Sequence, residues 1–334
     1  MDNTIGISPA ETKELVSKII STANEKGGIR NVFCVACGGS RGCFYPMVYF
    51  LNQEATEFYC ALYSSNEFVH AAPKGLGKNS VVFVMSLGGG TKETVEAAKT
   101  AKKAGATVVA LCAKHGVPLE TESDFSALYR IELDNIYSEV NQSVVLNLAF
   151  ELLEQTEGYA YYEQAMEGLS KIDLMCGKAA EQIRPRALAW GEEMKDEKVI
   201  YTLGSGPSAM VAYIQSICMF MEMEWVHSSS IHSGEYFHGP FEITDKTVPF
   251  MLFMSDGKTR PLDERALDFL NVYGGDKVEV VDTKELGINI IPDEVVEYFN
   301  PILHWSVGLE YAEGLAKAKK HPLMQRRYLG KVPY

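Results

Sequence analysis

"SVVFVMSLGGGTKETVEAAKTAKKAGATVVALCA", residues 80–113, decides the fold class of this chain. Two unbroken apolar runs, 80–86 and 106–113, bracket a segment whose lysines, glutamates and alanines recur at helical spacing. An apolar run without polar alternation predicts a strand covered on both faces, and strands alternating with helices predict a parallel sheet. The first run ends in Ser86 and three consecutive glycines, Gly88 to Gly90, just before the helical segment. Upstream, "NVFCVACGGS" (31–40) predicts a further strand running to Gly38-Gly39-Ser40, after a helical pattern over 11–25.

The pattern is written twice. "KVIYTLGSGPS" (198–208) answers 31–40, and Ser208 follows Ser40 by 208 − 40 = 168 residues. "VPFMLFMSDGKTR" (248–260) answers 80–92, with Ser255 following Ser86 by 255 − 86 = 169. The helix "LDERALDFLNVYGG" and the strand "DKVEVVD" complete the copy. The expectation is an α/β protein of two tandem domains, 1–155 and 196–334, each a parallel-sheet, three-layer αβα sandwich. Residues 156–195 have helical spacing without strand signals and are expected to be connecting helices.

Composition narrows the function. The 334 residues carry 31 basic and 44 acidic side chains, a net charge of 31 − 44 = −13. That argues against nucleic acid or an anionic membrane as partner, since both require a basic face. The N-terminus is polar, and no apolar run approaches the roughly 18 residues that span a bilayer; a soluble, cytoplasmic protein is expected. The seven cysteines are scattered, and Cys34-Val-Ala-Cys37 lies in an apolar strand, which reads as buried thiols. His227, His232 and His238 stand near Glu235 without a metal-ligand spacing such as H-E-x-x-H, so neither metal nor cofactor is expected.

A glycine-rich turn between a buried strand and a helix offers free backbone N–H groups and the positive end of the helix dipole to an anion. Ser86, Gly88, Thr91 and Thr94 therefore form a candidate monophosphate site; Gly39, Ser40, Ser64 and Ser65 close neighbouring segments of the same sheet edge. The turn matches neither a Walker A loop nor G-x-G-x-x-G. Its copy, "SDGKTRPLDE", has lost two glycines and gained acidic residues. The second candidate stretch is "MEMEWVHSSSIHSGEYFHGPFEIT" (221–244). A carboxyl ending the apolar helix "CMFMEMEW" should have its pKa raised by desolvation, which suits proton shuttling, and His238 on a Gly-Pro turn is an imidazole candidate for acid/base work. Composition alone does not choose between Glu222 and Glu224.

"CGGS" and "SLGGGTKET" in a tandem arrangement, followed by "E…HGP", resemble the SIS (sugar isomerase) family, whose paired domains bind phosphosugars. In the isomerase half of glucosamine-6-phosphate synthases an acid precedes the His of Gly-Glu-x-x-His-Gly-Pro by 16 residues; here 238 − 222 = 16, and the resemblance selects Glu222. Gly88 stands where those synthases have a second serine. "YTLGSG", "QSICMFMEMEW", "HSGEYFHGPFEITD", "DERALDFL" and "HPLMQRRYLGKVPY" resemble, over nearly the whole chain, the deglycases of glycated amino-acid phosphates. The resemblance implies cleavage of a fructosyl-amino-acid 6-phosphate, such as a fructose-aspartate adduct, to glucose 6-phosphate and free amino acid. Glu222 would shuttle the proton, and His238 would act as acid/base on the ring oxygen and hydroxyls. Lys331 would belong to a C-terminal tail closing over the sugar, with Arg327 and Tyr334 as further tail candidates. It also implies a homodimer with its active sites at the interface. An aldose–ketose phosphosugar isomerase, a glucosamine-6-phosphate deaminase and a non-catalytic phosphosugar sensor remain the alternatives, and the amine carried by the substrate stays open.

Overall fold

The computed structural model describes residues 6–131 and 134–333. Two compact units divide the chain, residues 1–170 and 171–334. Tyr334, a tail candidate, lies outside the described residues.

The first unit opens with helix α1 (Pro9–Glu25), started by a capping box in which Ser8 and Glu11 each satisfy the other's backbone N–H. Five strands follow: β1 (Asn31–Ala36), β2 (Tyr59–Ser64), β3 (Ser80–Met85), β4 (Thr107–Cys112) and β5 (Phe125–Leu128). They pair in the order β2-β1-β3-β4-β5, every pair parallel. The connecting helices are α2 (Gly38–Cys43), α3 (Tyr45–Glu54), α4 (Ser65–His70), α5 (Lys92–Lys103), α6 (Pro118–Thr121), α7 (Asn141–Thr156) and α8 (Tyr162–Ser170). Alternate strand residues explain the layering. Phe33, Val35, Val82, Val84, Val108 and Ala110 pack on Phe68 of α4, on Ala97, Ala98 and Ala101 of α5 and on Leu119 of α6. Val32, Cys34, Val81 and Phe83 are equally buried on the other side, where α3 lies on β2 and α1 and α3 pack on α7. Each large apolar side chain withdrawn from water contributes about 1.5–3 kcal/mol, which is why β1, β3 and β4 are apolar at every position after the first. One detail departs from expectation. The strand read over 31–40 stops at Ala36, because Gly38 turns the chain with φ +54° and starts α2.

The second unit repeats the plan with four strands: β6 (Val199–Gly204), β7 (His227–His232), β8 (Phe250–Met254) and β9 (Val278–Asp282). The order β7-β6-β8-β9 is again parallel and matches β2-β1-β3-β4. β6 and β7 begin 168 residues after β1 and β2 (199 − 31 and 227 − 59), so the duplication seen in the sequence is a duplication of sheet topology. Its helices are α9 (Ile172–Met194), α10 (Ala209–Ile214), α11 (Arg260–Tyr273) and α12 (Val296–Lys319). Leu203, Phe250, Leu252 and Met254 pack against Ala266 and Leu270 of α11. α9 and α12 cross where Gly191 meets Gly314: a β-carbon on Gly191 would stand 2.4 Å from the Gly314 backbone.

Candidate active site

β1 is flanked by β2 on one side and β3 on the other, which places the reversal of strand order at its carboxyl end; crevices at such points hold the ligands of open α/β sheets. The register pairs Ala36 with both Ser64 and Met85, so the three strands end level. Gly39 and Ser40 in α2, Ser64 capping α4 and the Ser86 turn therefore gather at one edge of the first unit. Within the turn, the Ser86 and Thr91 hydroxyls are 2.9 Å apart, and Thr91 starts α5 without using its side chain as a cap. Gly89 has φ +66°, and a β-carbon there would lie 2.2 Å from Val117. Only glycine fits. Gly88 faces open space, with nothing within 4 Å of an added β-carbon. Thr94 and Ser65 bond each other below the turn at 2.9 Å, both fully buried, which makes them supports rather than ligand contacts.

At the equivalent edge of the second unit a carboxylate lies buried under the turn between β8 and α11. Asp263, in the first turn of α11, is buried, accepts from the Ser255 N–H at 3.4 Å and lies beside the Ser205 and Ser233 hydroxyls. Burial raises its pKa to about 6 against those hydrogen bonds and the nearby Arg260.

The acid/base stretch follows α10. Instead of continuing as an α-helix, the chain widens into a π-helix over Gln215–Met223, which carries Glu222 in its last turn. Such segments are rare and concentrate at functional sites. The two glutamates end in different environments. The Glu224 side chain is buried at 1% exposure, with the Lys319 ammonium 3.7 Å from Oε2, and burial pushes its pKa up to about 7 while Lys319 pulls it down. The desolvated carboxyl of the pair is thus Glu224. The Glu222 side chain is 32% exposed and accepts from Arg326 Nε at 2.8 Å. Solvent-sized groups can reach Glu222 and cannot reach Glu224.

His238 sits on the turn after β7, where its N–H bonds Glu235 O at 2.9 Å. The loop is anchored by buried Tyr236 and by Phe237 and Phe241, which stack around Phe269 of α11. The imidazole itself is exposed and bonds no other described residue, Glu222 included. Gly239 follows at φ +126°. His227 and Glu235 are exposed, and His232 accepts from the Gly234 N–H at 3.1 Å. Lys331 is exposed and donates to Arg326 O; Arg327 lies 4.0 Å over the Trp225 ring. Arg326, 104 residues from Glu222, left no local signal from which sequence reasoning could find it. Among the described residues no group of three or more His, Cys, Asp or Glu could hold a metal, none of the seven cysteines is in a disulfide, and no helix is long and apolar enough to cross a membrane.

Two parallel α/β units of one topology, one with a hydroxyl- and glycine-lined strand edge and one with an accessible glutamate and histidine, define a duplicated α/β protein. The family follows from comparison: the SIS domain model matches residues 10–152, and the chain belongs to the SIS domain family. The fructosamine deglycase FrlB of Bacillus subtilis (strain 168) is 40% identical over 92% of this chain and 93% of its own length. A fructoselysine 6-phosphate deglycase of Escherichia coli (strain K12) is 26% identical over 91% and 87%. A solved structure from Salmonella typhimurium LT2, described as a candidate phosphosugar isomerase, shares 43% identity with a TM-score of 0.92, covering 97% of this chain and 99% of its own.

Proposed function

We propose that the chain is a deglycase that cleaves a fructosyl-amine 6-phosphate to glucose 6-phosphate and the free amine. The observation that carries this reading is the pairing of an accessible Glu222 with His238 sixteen residues on, in a chain 40% identical to a fructosamine deglycase. The first unit offers Ser86, Gly88 and Thr91 to the phosphate, with Gly39, Ser40 and Ser64 at the rim, and Lys331 is the candidate cation of the tail. The substrate carries an amine on C1 and a ketone at C2. His238 protonates the ring oxygen and opens the sugar. Glu222 then removes a C1 proton while the C2 oxygen gains one, giving an enaminol. Return of a proton to C2 leaves a C1 imine, and water adds to that carbon and expels the amine. The amine is an amino acid, with an aspartate adduct the first choice.

His238 is displayed without a partner on an anchored loop, which suits a group completed by a second subunit. In this reading the enzyme is a homodimer, each site taking Glu222 and His238 from opposite protomers, and the interface keeps water from the imine until the proton has moved. Seven cysteines without a disulfide suit a cytoplasmic location. The test is to incubate the protein with synthetic 6-phosphofructosyl-aspartate, -lysine and -glycine and to measure glucose 6-phosphate and free amino acid. Equal release of both from at least one adduct is expected. Conversion of fructose 6-phosphate or glucosamine 6-phosphate, with all the adducts left intact, would replace this reading with an isomerase or a deaminase.

A further inference from the structure

The last described segment carries a charge opposite to the rest of the molecule. Residues 317–333 contain Lys317, Lys319, Lys320, Arg326, Arg327 and Lys331 and no Asp or Glu, in a chain of net charge −13. This segment grips the stretch from Glu222 to Trp225 at three points. Lys319 Nζ donates to Glu224 O. The Arg327 guanidinium lies 4.0 Å over the Trp225 ring, against whose other contact, His321, the ring centroids are 4.3 Å apart. Between them Arg326, only 12% exposed, donates from Nε to Glu222 Oε1 at 2.8 Å. Its Nη1 is turned back onto the tail, donating to Leu323 O and, at 3.2 Å, to Gln325 O, while its own carbonyl receives Lys331 Nζ. The guanidinium is therefore held from behind by backbone carbonyls, and one face of its fork is presented to a single carboxylate oxygen.

A long side chain restrained in this way does more than add a surface ion pair. Glu222 has three rotatable bonds and lies at the end of a π-helix, where backbone geometry alone leaves its carboxylate free to turn. A charge-assisted bond to Oε1 fixes the rotamer and leaves Oε2 as the oxygen available to a proton. We propose that Arg326 is a positioning residue for the reaction, selecting which oxygen of Glu222 meets substrate carbon and holding it in line. This rests on the reading of Glu222 as the proton shuttle. Since positioned groups owe much of their effect to orientation, loss of Arg326 falls on turnover and leaves phosphate recognition in the first unit untouched.

The experiment compares Arg326→Ala, Arg326→Lys, Glu222→Gln and the double variant Glu222→Gln/Arg326→Ala in full-length protein, using deglycation of the best adduct. Arg326→Ala is expected to lower kcat by roughly 10- to 100-fold with KM within about twofold. Arg326→Lys should recover part of the loss, and free guanidinium ion at millimolar concentration should restore turnover to Arg326→Ala but not to the double variant. The double variant should be no slower than Glu222→Gln alone. A loss confined to KM would make Arg326 a substrate-binding residue and overturn the inference, as would an unchanged kcat. If Glu222→Gln itself turns over at the wild-type rate, the assignment of the shuttle fails and Arg326 falls with it; if that variant is inactive while Arg326→Ala is not, the positioning role alone fails.

Discussion

Glu222 and Glu224 lie two residues apart on one irregular helix end, and a difference in exposure separates their fates. Glu224 is buried with a pKa near 7, raised mainly by desolvation. A carboxyl whose folded pKa stands above its ordinary value binds its proton more tightly folded than unfolded. Its contribution to stability is therefore largest below the ordinary pKa of 4.5 and is lost as pH rises towards 7. Glu224→Gln removes that liability. At pH 8 the variant should be more stable than wild type, by an amount on the order of 2–3 kcal/mol, and unfold at a higher temperature, with little difference at pH 4.5; differential scanning calorimetry at the two pH values reads this directly. Its deglycase activity should survive. Glu222→Gln and His238→Ala should instead lose at least about 10²-fold in kcat, as expected for a missing general acid or base, with unchanged circular dichroism. An inactive Glu224 variant beside an active Glu222 variant would exchange the two roles.

The turn between β3 and α5 makes its prediction through backbone geometry. Ser86→Ala and Thr91→Val should each raise KM about tenfold, the effect of one charge-assisted hydrogen bond to phosphate worth about 1–2 kcal/mol; a wild-type KM in both would place the phosphate elsewhere. Neighbouring glycines should respond in opposite ways. Gly89→Ala forces a β-carbon into Val117 at positive φ and should destabilise the protein strongly, whereas Gly88→Ser meets open space and should fold normally, its hydroxyl available to the ligand. Much of this element was legible beforehand. Uninterrupted apolar runs announce buried parallel strands, and three glycines before a helix announce a turn that presents N–H groups. The early end of β1 was not legible, because Gly38 adopts a positive φ that composition permits without requiring. Nor was the π-helix, since one extra residue per turn leaves an apolar run looking like any buried helix. Asp263 lay in between: its acidic first turn was visible in "LDER", while its burial beside Ser205 and Ser233 depends on residues distant in sequence.

At the scale of the molecule, one topology occurs twice with different residues at its strand ends. The first unit carries the glycine-rich turn with Ser86 and Thr91; the second carries the buried Asp263 and, in segments around β7, Glu222 and His238. The 168-residue repeat made that duplication readable from the chain alone, but the burial of Asp263 and the exposure of Glu222 rest on contacts that no repeat predicts. If sites combine groups from two protomers, subunit exchange exposes it. Mixing inactive Glu222→Ala and His238→Ala homodimers under exchanging conditions should restore activity to about a quarter of wild type, since half the dimers are mixed and half their sites are whole. Proven exchange without recovery would assign both groups to the same subunit.

The π-helix also records something about how this site can change. Hydrogen bonds spanning five residues rather than four arise when a helix is given one residue more than its register needs, and the surplus is absorbed over Gln215–Met223. A three-base deletion within the codons for 216–220 would let the segment relax to ordinary α-helix, and each residue of an α-helix turns the chain by about 100°. Glu222 would then swing away from Arg326. On the role proposed for Glu222, deleting one residue here should abolish deglycation, and circular dichroism reads whether the fold survives the change.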